Sequence, residues 1–385
     1  MSGSSQPTLW RLFLTFLRLG VTAFGGPAMV AYIRQRAVEK EGWMQGRQFD
    51  DGVAFCQMIP GATAMQTAAY VGLSTRGVAG AAASFVGFGL PAFGLMLALA
   101  AVYVQAHELP AVVAAFKGLG AIIVAIVANA TLSFGLRSLR GWPQVVVAVV
   151  AAALFGWGGH PFLVIVLCGV LGLGLIKPSQ IDPLTTTETH HFGRSALLIL
   201  TGGVTGLVAL FLLDRQLFDL AALMARIDLF AIGGGYASVP LMLHEVVSVR
   251  HWLDDSTFMN AIVLGQVTPG PIVISATFVG YLLRGLPGGT IATVSVFLPS
   301  FVLVVGTAPY FNRLRSSATF NKVIGGALCS FVGLLLNVTI HFAMQVAWDI
   351  PLAVLAIAGF VALRLKVDIL WVVSVGIVAS VILFR

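Results

Sequence analysis

The sequence contains one pattern of residues twice, and the second copy lies 208 or 209 positions after the first. The recurring residues are mainly glycine, proline, arginine, tryptophan and glutamine, types that set backbone conformation or polar contacts. The matched residues include Arg18 with Arg226, Gly25-Gly26 with Gly233-Gly234, Trp43 with Trp252, Gln57 with Gln266, and Pro60-Gly61 with Pro269-Gly270. The repetition predicts a chain of two similar halves.

The chain is also far more hydrophobic than a soluble protein. Hydrophobic residues make up 58% of its 385 residues and charged residues 10%, and the mean hydropathy is +0.96. Soluble domains contain roughly 25% charged residues, so this composition predicts a multi-pass protein of the cytoplasmic membrane. Paired repeats in such a protein are typical of secondary transporters, whose substrate site lies between the repeats.

Other classes of function find little support in the sequence. Cys56, Cys168 and Cys329 lie far apart in apolar surroundings without a CxxC pair, so we interpret them as small buried hydrophobic residues rather than metal ligands. No cofactor motif is present. The net charge of +7 is attributed to cytoplasmic loops and not to nucleic-acid binding. The apolar segments hold no nucleophile, base and acid set, which argues against an enzyme.

Apolar stretches and the breaks between them define the organisation. We predict a first repeat (1–177), a polar linker with a connecting transmembrane helix (178–215) and a second repeat (216–385). Each repeat begins with two stretches broken by Gly and Pro, read as half-helices that meet inside the membrane and return to the starting side. These stretches are 9–36 and 49–75, then 217–247 and 257–283. The predicted fold is an all-α polytopic membrane protein.

The basic residues predict that the second repeat is inverted relative to the first. Loop 34–51 contains four basic residues, whereas its counterpart 244–256 contains only Arg250. Loops rich in Lys and Arg face the cytoplasm, so equivalent loops are expected on opposite sides. The extra apolar segment 195–213 supplies the odd crossing that inverts the second repeat.

The broken helices provide a rationale for anion binding. A break at membrane depth is tolerated only beside protein or a wet cavity, and each restarting helix presents N–H groups and the positive end of its dipole. The alternative is that the residues only kink packed helices, but their recurrence in both halves favours a site. The candidates at the breaks are Gly25, Gly26, Pro60, Gly61, Gly233, Gly234, Thr268, Pro269, Gly270 and Pro271.

Polar side chains near the breaks complete the candidate site. Arg18 and Arg226 each lie seven residues before a glycine pair, and a guanidinium matches the donor geometry that a tetrahedral oxyanion needs. Snorkelling to the headgroups is the alternative for both arginines. Gln57 and Gln266 precede the Pro-Gly breaks and are expected to line the site. Helix-to-helix hydrogen bonding is the alternative for the hydroxyl residues nearby, such as Thr268.

These residues resemble the repeat of the chromate ion transporter family. That repeat carries Phe-Gly-Gly-Pro, a Trp, Gln-x-x-Pro-Gly-Pro and an aromatic-Val-Gly element. The first half shows them as Phe24 to Pro27, Trp43, Gln57 to Gly61 and Tyr70 to Gly72, and the second as Gly233 to Tyr236, Trp252, Gln266 to Pro271 and Phe278 to Gly280. Ala62 departs from the pattern because it stands where the family has its second proline.

The resemblance implies export of chromate, driven as an antiport by the proton motive force, and resistance to this oxyanion. The residues alone indicate only a small oxyanion, and sulfate has the same charge and shape. A sulfate permease and an anion channel therefore stay open as alternatives. The expected partners are the oxyanion, membrane lipids and coupling protons, and the sequence leaves a homodimer open.

The inversion generates the first testable prediction. Single cysteines placed in loop 34–51 should react with a membrane-impermeant thiol reagent only from the cytoplasmic side. Cysteines in loop 244–256 should react only from outside, because that loop lacks the cluster of basic residues that marks a cytoplasmic loop. The labelling needs a background in which the three native cysteines are replaced. Labelling of both loops from the same side would contradict the inversion.

Overall fold

The structure, a computed structural model, describes residues 7–24, 27–177 and 193–384. Every regular element in these ranges is helical, which confirms the predicted all-α class. The α-helices are α1 (Leu9–Thr22), α2 (Pro27–Arg34), α3 (Gly46–Met58), α4 (Thr63–Ala106), α5 (Pro110–Ser138), α6 (Trp142–Gly156), α7 (Pro161–Leu175), α8 (Gly193–Leu213), α9 (Arg215–Phe230), α10 (Ser238–Met242), α11 (Asp255–Val267), α12 (Ser275–Thr307), α13 (Phe311–Ser316), α14 (Ala318–Gln345), α15 (Ile350–Arg364) and α16 (Ile369–Phe384).

Five helical segments of the described chain are long and apolar enough to cross a bilayer. They are Thr63–Ala106, Pro110–Ser138, Gly193–Leu213, Ile272–Tyr310 and Ala318–Gln345. The remaining apolar helices α6, α7, α15 and α16 have 15 or 16 residues each, fewer than the roughly 20 that span a bilayer upright. The protein is therefore a multi-pass membrane protein, as the composition predicts. Of the predicted linker and connecting helix (178–215), residues 178–192 lie outside the described residues. The connecting helix is α8.

The long helices α4 and α12 are each a hairpin of two helical arms. Arg76 and Gly77 leave the helical conformation in α4, and Arg284 and Gly285 do so in α12 with nearly the same dihedral angles. Gly77 and Gly285 have φ of 64° and 58°, a left-handed conformation that glycine adopts without strain. The two hairpins sit at equivalent positions of the two repeats.

Helical π-turns also recur at equivalent places. Residues 35–40 and 243–249 both form a π-helix. An ion pair joins the two ends of each, and the acidic and basic residues exchange places between the repeats. Arg36 pairs with Glu41 at 2.8 Å, whereas at the matching positions Glu245 pairs with Arg250 at 3.5 Å. The repeats therefore share backbone geometry even where their charges are exchanged.

The helices form two compact units, and each unit draws on both repeats. The first contains residues 1–97, 181–235 and 268–316, and the second contains 98–180, 236–267 and 317–385. In the second unit α14 packs against α6 and α7 of the first repeat, and α5 packs against α15 and α16 of the second. The spatial units thus differ from the repeats read along the sequence.

Contacts in the second unit are reciprocal between the repeats. Gly172 lies against Gly326, and at the equivalent positions Ser380 lies against Gly118. Thr131 bonds its own counterpart, Thr339, at 3.1 Å between the hydroxyl oxygens. Such pairs show that, within this unit, equivalent residues of the two repeats make equivalent contacts. The inversion of one repeat relative to the other in a membrane stays a prediction.

Candidate functional site

The helices end at the breaks that glycine and proline predict. In the first repeat α1 ends at Thr22, and α3 and α4 are separated by residues 59–62. In the second repeat α9 ends at Phe230, and α11 ends at Val267 before the 3₁₀ turn Ile272–Ile274. Gly25 and Gly26 lie outside the described residues. The remaining breaks all involve the first compact unit.

Four glycines at these breaks adopt backbone angles that other residues rarely reach. The φ values are 113° for Gly61, 121° for Gly270, 99° for Gly233 and 110° for Gly234. Side chains with a Cβ avoid this region for steric reasons. The backbone conformation therefore requires glycine at these positions. From the sequence alone, the same glycines could equally have been explained by the close approach of a ligand.

Each Pro-Gly break is joined by a hydrogen bond to the helix end of the other repeat. The N–H of Gly61 donates to the carbonyl of Ala231 at 2.9 Å, and the N–H of Gly270 donates to the carbonyl of Ala23 at 3.1 Å. Ala23 and Ala231 are equivalent residues, so the two bonds are reciprocal. These two N–H groups are used within the fold, and the role of Gly270 in the site stays a prediction.

The first turn of α4 retains N–H groups of the kind that bind anions. The N–H of Gln66 donates to the carbonyl of Ala62 at 3.0 Å, so the preceding Thr63, Ala64 and Met65 have no acceptor within the helix. Thr63 is partly exposed, and its hydroxyl lies near Gly234. The helix restart at Thr63 therefore stays a candidate for oxyanion binding.

A buried polar cluster lies beside the first Pro-Gly break. Asp228, Ser300 and Gln66 are each fully buried. The carboxylate of Asp228 accepts from the Ser300 N–H at 2.8 Å and from the Ser300 hydroxyl at 3.0 Å. The Gln66 amide donates to the carbonyl of Pro60 and lies 3.4 Å from the Ser300 hydroxyl. A Cβ on Gly61 would stand 1.8 Å from Ser300 Oγ, so the cluster packs directly on the break.

Sequence reasoning missed most of this cluster. Asp228 has Gly20 as its counterpart in the first repeat, and none of Asp228, Ser300 and Gln66 is among the predicted site residues. A difference between the repeats could have located Ser300, since its counterpart is Ala92. Two polar replacements at equivalent positions of packed helices indicate a contact that only one repeat makes.

The two arginines of the candidate site lie away from the buried cluster. Arg18 on α1 and Arg226 on α9 are both exposed, whereas Asp228, two residues after Arg226 on α9, is buried. A helix turns by about 100° per residue, so residues 226 and 228 cannot share a face. The role of the arginines in binding stays a prediction.

The other predicted residues divide between exposed and buried positions. Gln57 is exposed on α3, whereas its counterpart Gln266 is buried in the second unit and donates to the Tyr236 hydroxyl at 3.0 Å. Thr268, Pro269 and Pro271 are buried. Equivalent residues of the two repeats therefore have different environments, although their sequences match.

An open apolar cavity in the first unit is not suited to an oxyanion. It has a volume of about 360 Å³ and lies between the second arms of α4 and α12. Its walls include Met65, Phe85, Phe297 and Phe301, and its polar contributions come from two threonines. A dianion transferred into such a site would lose its hydration without compensation, so the breaks are the better candidate.

Comparison with known proteins supports the repeat and identifies its type. The sequence pattern of the family described as "Chromate transporter" matches residues 10–173 and again residues 218–381. An uncharacterized transporter of Methanocaldococcus jannaschii is 41% identical over 383 residues, which cover 98% of this chain and 95% of that protein.

Two further relatives are named chromate transport proteins. The one from Cupriavidus metallidurans is 31% identical over 369 residues, or 93% of this chain and 88% of its own length. The one from Pseudomonas aeruginosa is 28% identical over 359 residues, or 91% and 85%. No solved structure matches the chain.

The packing at the first break generates the second prediction. Gly61→Ala should lower the stability of the protein by about 2–5 kcal/mol, since it combines a left-handed backbone with overpacking. Gly61→Ala combined with Ser300→Ala should recover part of the loss, because Ser300 Oγ is the nearest atom to the new methyl group. Thermal unfolding of the purified protein measures both. Gly94→Ala, where a Cβ meets nothing within 4 Å, is the control, and equal stability of the Gly61 and Gly94 variants would contradict the described packing.

Proposed function

Because the chain belongs to the chromate transporter family, we propose that it exports chromate from the cytoplasm and confers resistance to this oxyanion. The observation that carries the proposal is the match of the family pattern to both repeats, at 10–173 and 218–381. Its family membership identifies the chain as a membrane transporter. Our proposal concerns the direction of transport and the resistance.

The geometry supports a small dianion as the substrate. Helix ends and a restarting helix surround the breaks, and the first turn of α4 offers N–H groups at Thr63, Ala64 and Met65. Helix N-termini bind tetrahedral oxyanions through such groups and through the helix dipole. We include Arg226, and with it Arg18, as the cationic part of the site, since each lies seven residues before the glycine pair of its repeat and a guanidinium offers donors that match a tetrahedral oxyanion.

The remaining predicted residues have supporting roles in the proposal. Gly234 lies beside Thr63, Gly233 shares its left-handed backbone conformation, and Gln57 offers an uncharged donor at an exposed position. Pro60, Gly61, Thr268, Pro269, Gly270 and Pro271 shape the breaks, and the buried Gln266 stabilises the second unit. These roles place the substrate beside the breaks and not in the apolar cavity.

Electrostatics favours export as the direction. Moving one charge through a membrane potential of 100 mV corresponds to about 2.3 kcal/mol, so an inside-negative potential drives a dianion outward by about 4.6 kcal/mol. That is equivalent to a concentration ratio of more than about a thousand. Export can therefore run on the potential alone, whereas uptake of the same anion needs coupling to cations.

Transport in everted membrane vesicles tests the function. Vesicles that contain the protein should accumulate radiolabelled chromate when a potential, positive inside, is imposed, because this orientation reproduces export. Vesicles without the protein are the control, and excess sulfate tests selectivity. Saturable chromate accumulation with weak inhibition by sulfate is expected. Preferential sulfate transport would establish the permease alternative, and flux that does not saturate would establish a channel.

The proposed role of Arg226 generates a separate prediction. Arg226→Gln should reduce chromate transport by at least about tenfold, since hydrogen bonds to charged groups contribute about 1.5–3 kcal/mol. Arg226→Lys should restore only part, because it keeps the charge but lacks the fork of donors. Arg215→Gln, on the same helix and 60% exposed, is the matched control. Full activity of Arg226→Gln, with normal membrane insertion of both variants, would refute the role.

A further inference from the structure

Asp228 is a buried carboxylate without a cationic partner. Its described contacts are with the N–H and the hydroxyl of Ser300, both neutral donors. None of the ion pairs found in the described chain includes it. A buried carboxylate is costly in its charged form unless it is paired, so two neutral hydrogen bonds leave its charge uncompensated.

The charged groups on the neighbouring elements are directed elsewhere. Asp228 packs on α12 and on the break before α4, and α9 also packs against α8. Arg284 of α12 pairs with Asp214, and Arg76 of α4 donates to the carbonyl of Pro7. The other titratable or charged side chains in the same unit on these elements are Arg194 of α8, Tyr70 of α4, Tyr281 of α12, and Arg215, Asp219 and Arg226 of α9. Arg194 and Arg226 are exposed, Arg215 pairs with Asp219, and Tyr70 packs on Phe55.

The neighbours of Asp228 can accommodate its protonated form. The Ser300 hydroxyl is both donor and acceptor, so at the same 3.0 Å it can donate to the charged carboxylate or accept from the protonated one. The Oε1 atom of Gln66 is buried and has no hydrogen-bond partner among the described residues. The cluster therefore contains a buried acceptor on Gln66 that the described residues do not use.

The cluster packs closely on Gly61. A Cβ added to Gly61 would lie 1.8 Å from Ser300 Oγ, 2.8 Å from Gln66 Nε2 and 3.0 Å from Asp228 Oδ1. Such contacts show that the side chains meet directly on the break. A proton needs only a hydrogen bond that already exists, whereas a sodium ion would need the ligands to separate.

We propose that Asp228, with Ser300 and Gln66, is a proton-binding site, and that protonation of Asp228 strengthens binding of the oxyanion at the adjacent break. The inference rests on the proposed function, since it takes the oxyanion site to be at the breaks. A charged Asp228 repels a dianion beside Gly61, and the protonated form does not. By reciprocity of linkage, the bound oxyanion raises the affinity of Asp228 for a proton. The proton and the oxyanion therefore bind together, which differs from the antiport that the family resemblance implies.

The linkage has a definite pH signature. Above the pKa of Asp228, the apparent affinity for chromate should fall by up to about tenfold for each unit of pH, as expected for one coupled proton. Asp228→Asn mimics the neutral acid, so its affinity should not change over the same pH range. Asp219→Asn, an exposed carboxylate on the same helix, should keep the pH dependence of the unmodified protein.

Binding of radiolabelled chromate to the full-length protein in sodium-free buffer measures these affinities. Chromate itself takes up a proton in mildly acidic solution, so each variant is compared with the unmodified protein at the same pH. Retention of the pH dependence by Asp228→Asn, loss of binding by folded Asp228→Asn, or an affinity that follows sodium at constant pH would each overturn the proposal. Absence of chromate binding and transport by the unmodified protein would instead refute the proposed function.

A second measurement does not depend on the folding of the Asn variant. Sulfate, used at a concentration high enough to offset its weaker binding, takes up no proton itself in this pH range. Its binding to the unmodified protein in weak buffer should therefore be accompanied by proton uptake, which a pH-indicating dye reports. Ser300→Ala should shift the midpoint of the pH dependence upward, because the charged carboxylate loses a donor while the titrating group stays. Anion binding without proton uptake, or an unshifted midpoint in Ser300→Ala, would contradict the assignment.

Discussion

A chain that interrupts its helices within a membrane must provide partners for the backbone groups that the interruption releases. Here the partners come from the other repeat. The N–H of Gly61 bonds Ala231 and the N–H of Gly270 bonds Ala23, so each break is closed by the helix end of its counterpart. Neither repeat can form its break alone, and the position of every side chain around the breaks follows from this exchange.

The exchange also explains why small differences between the repeats matter. The first break packs on Ser300, whereas a Cβ on Gly270 in the second break would meet the methyl group of Ala92. Asp228 of the second repeat stands at the position equivalent to Gly20 of the first. One break therefore has a polar and titratable environment and the other an apolar one, although the backbone arrangement is the same. Symmetry of the fold thus coexists with asymmetry of the chemistry.

The sequence predicts the helical membrane class and the places where helices end, because glycine and proline act locally and recur in both halves. It predicts less of the site, because side-chain contacts depend on segments far apart in the chain. Gln66 and Ser300 are separated by 234 positions, and no local pattern links them. Helical periodicity predicts that Arg226 and Asp228 lie on different faces of α9. The hydrogen bond from the N–H of Gly270 to the carbonyl of Ala23 is visible only in the tertiary structure.

The asymmetry provides a route by which a proton can act on transport. In an alternating-access cycle of paired repeats, the two repeats exchange environments, so a group carried by only one of them has different surroundings in the two states. A proton that binds Asp228 better in one state shifts the population toward that state. Had both repeats carried the carboxylate, the two effects would oppose each other. The presence of Asp228 and Ser300 in one repeat only is therefore consistent with the proposed proton site.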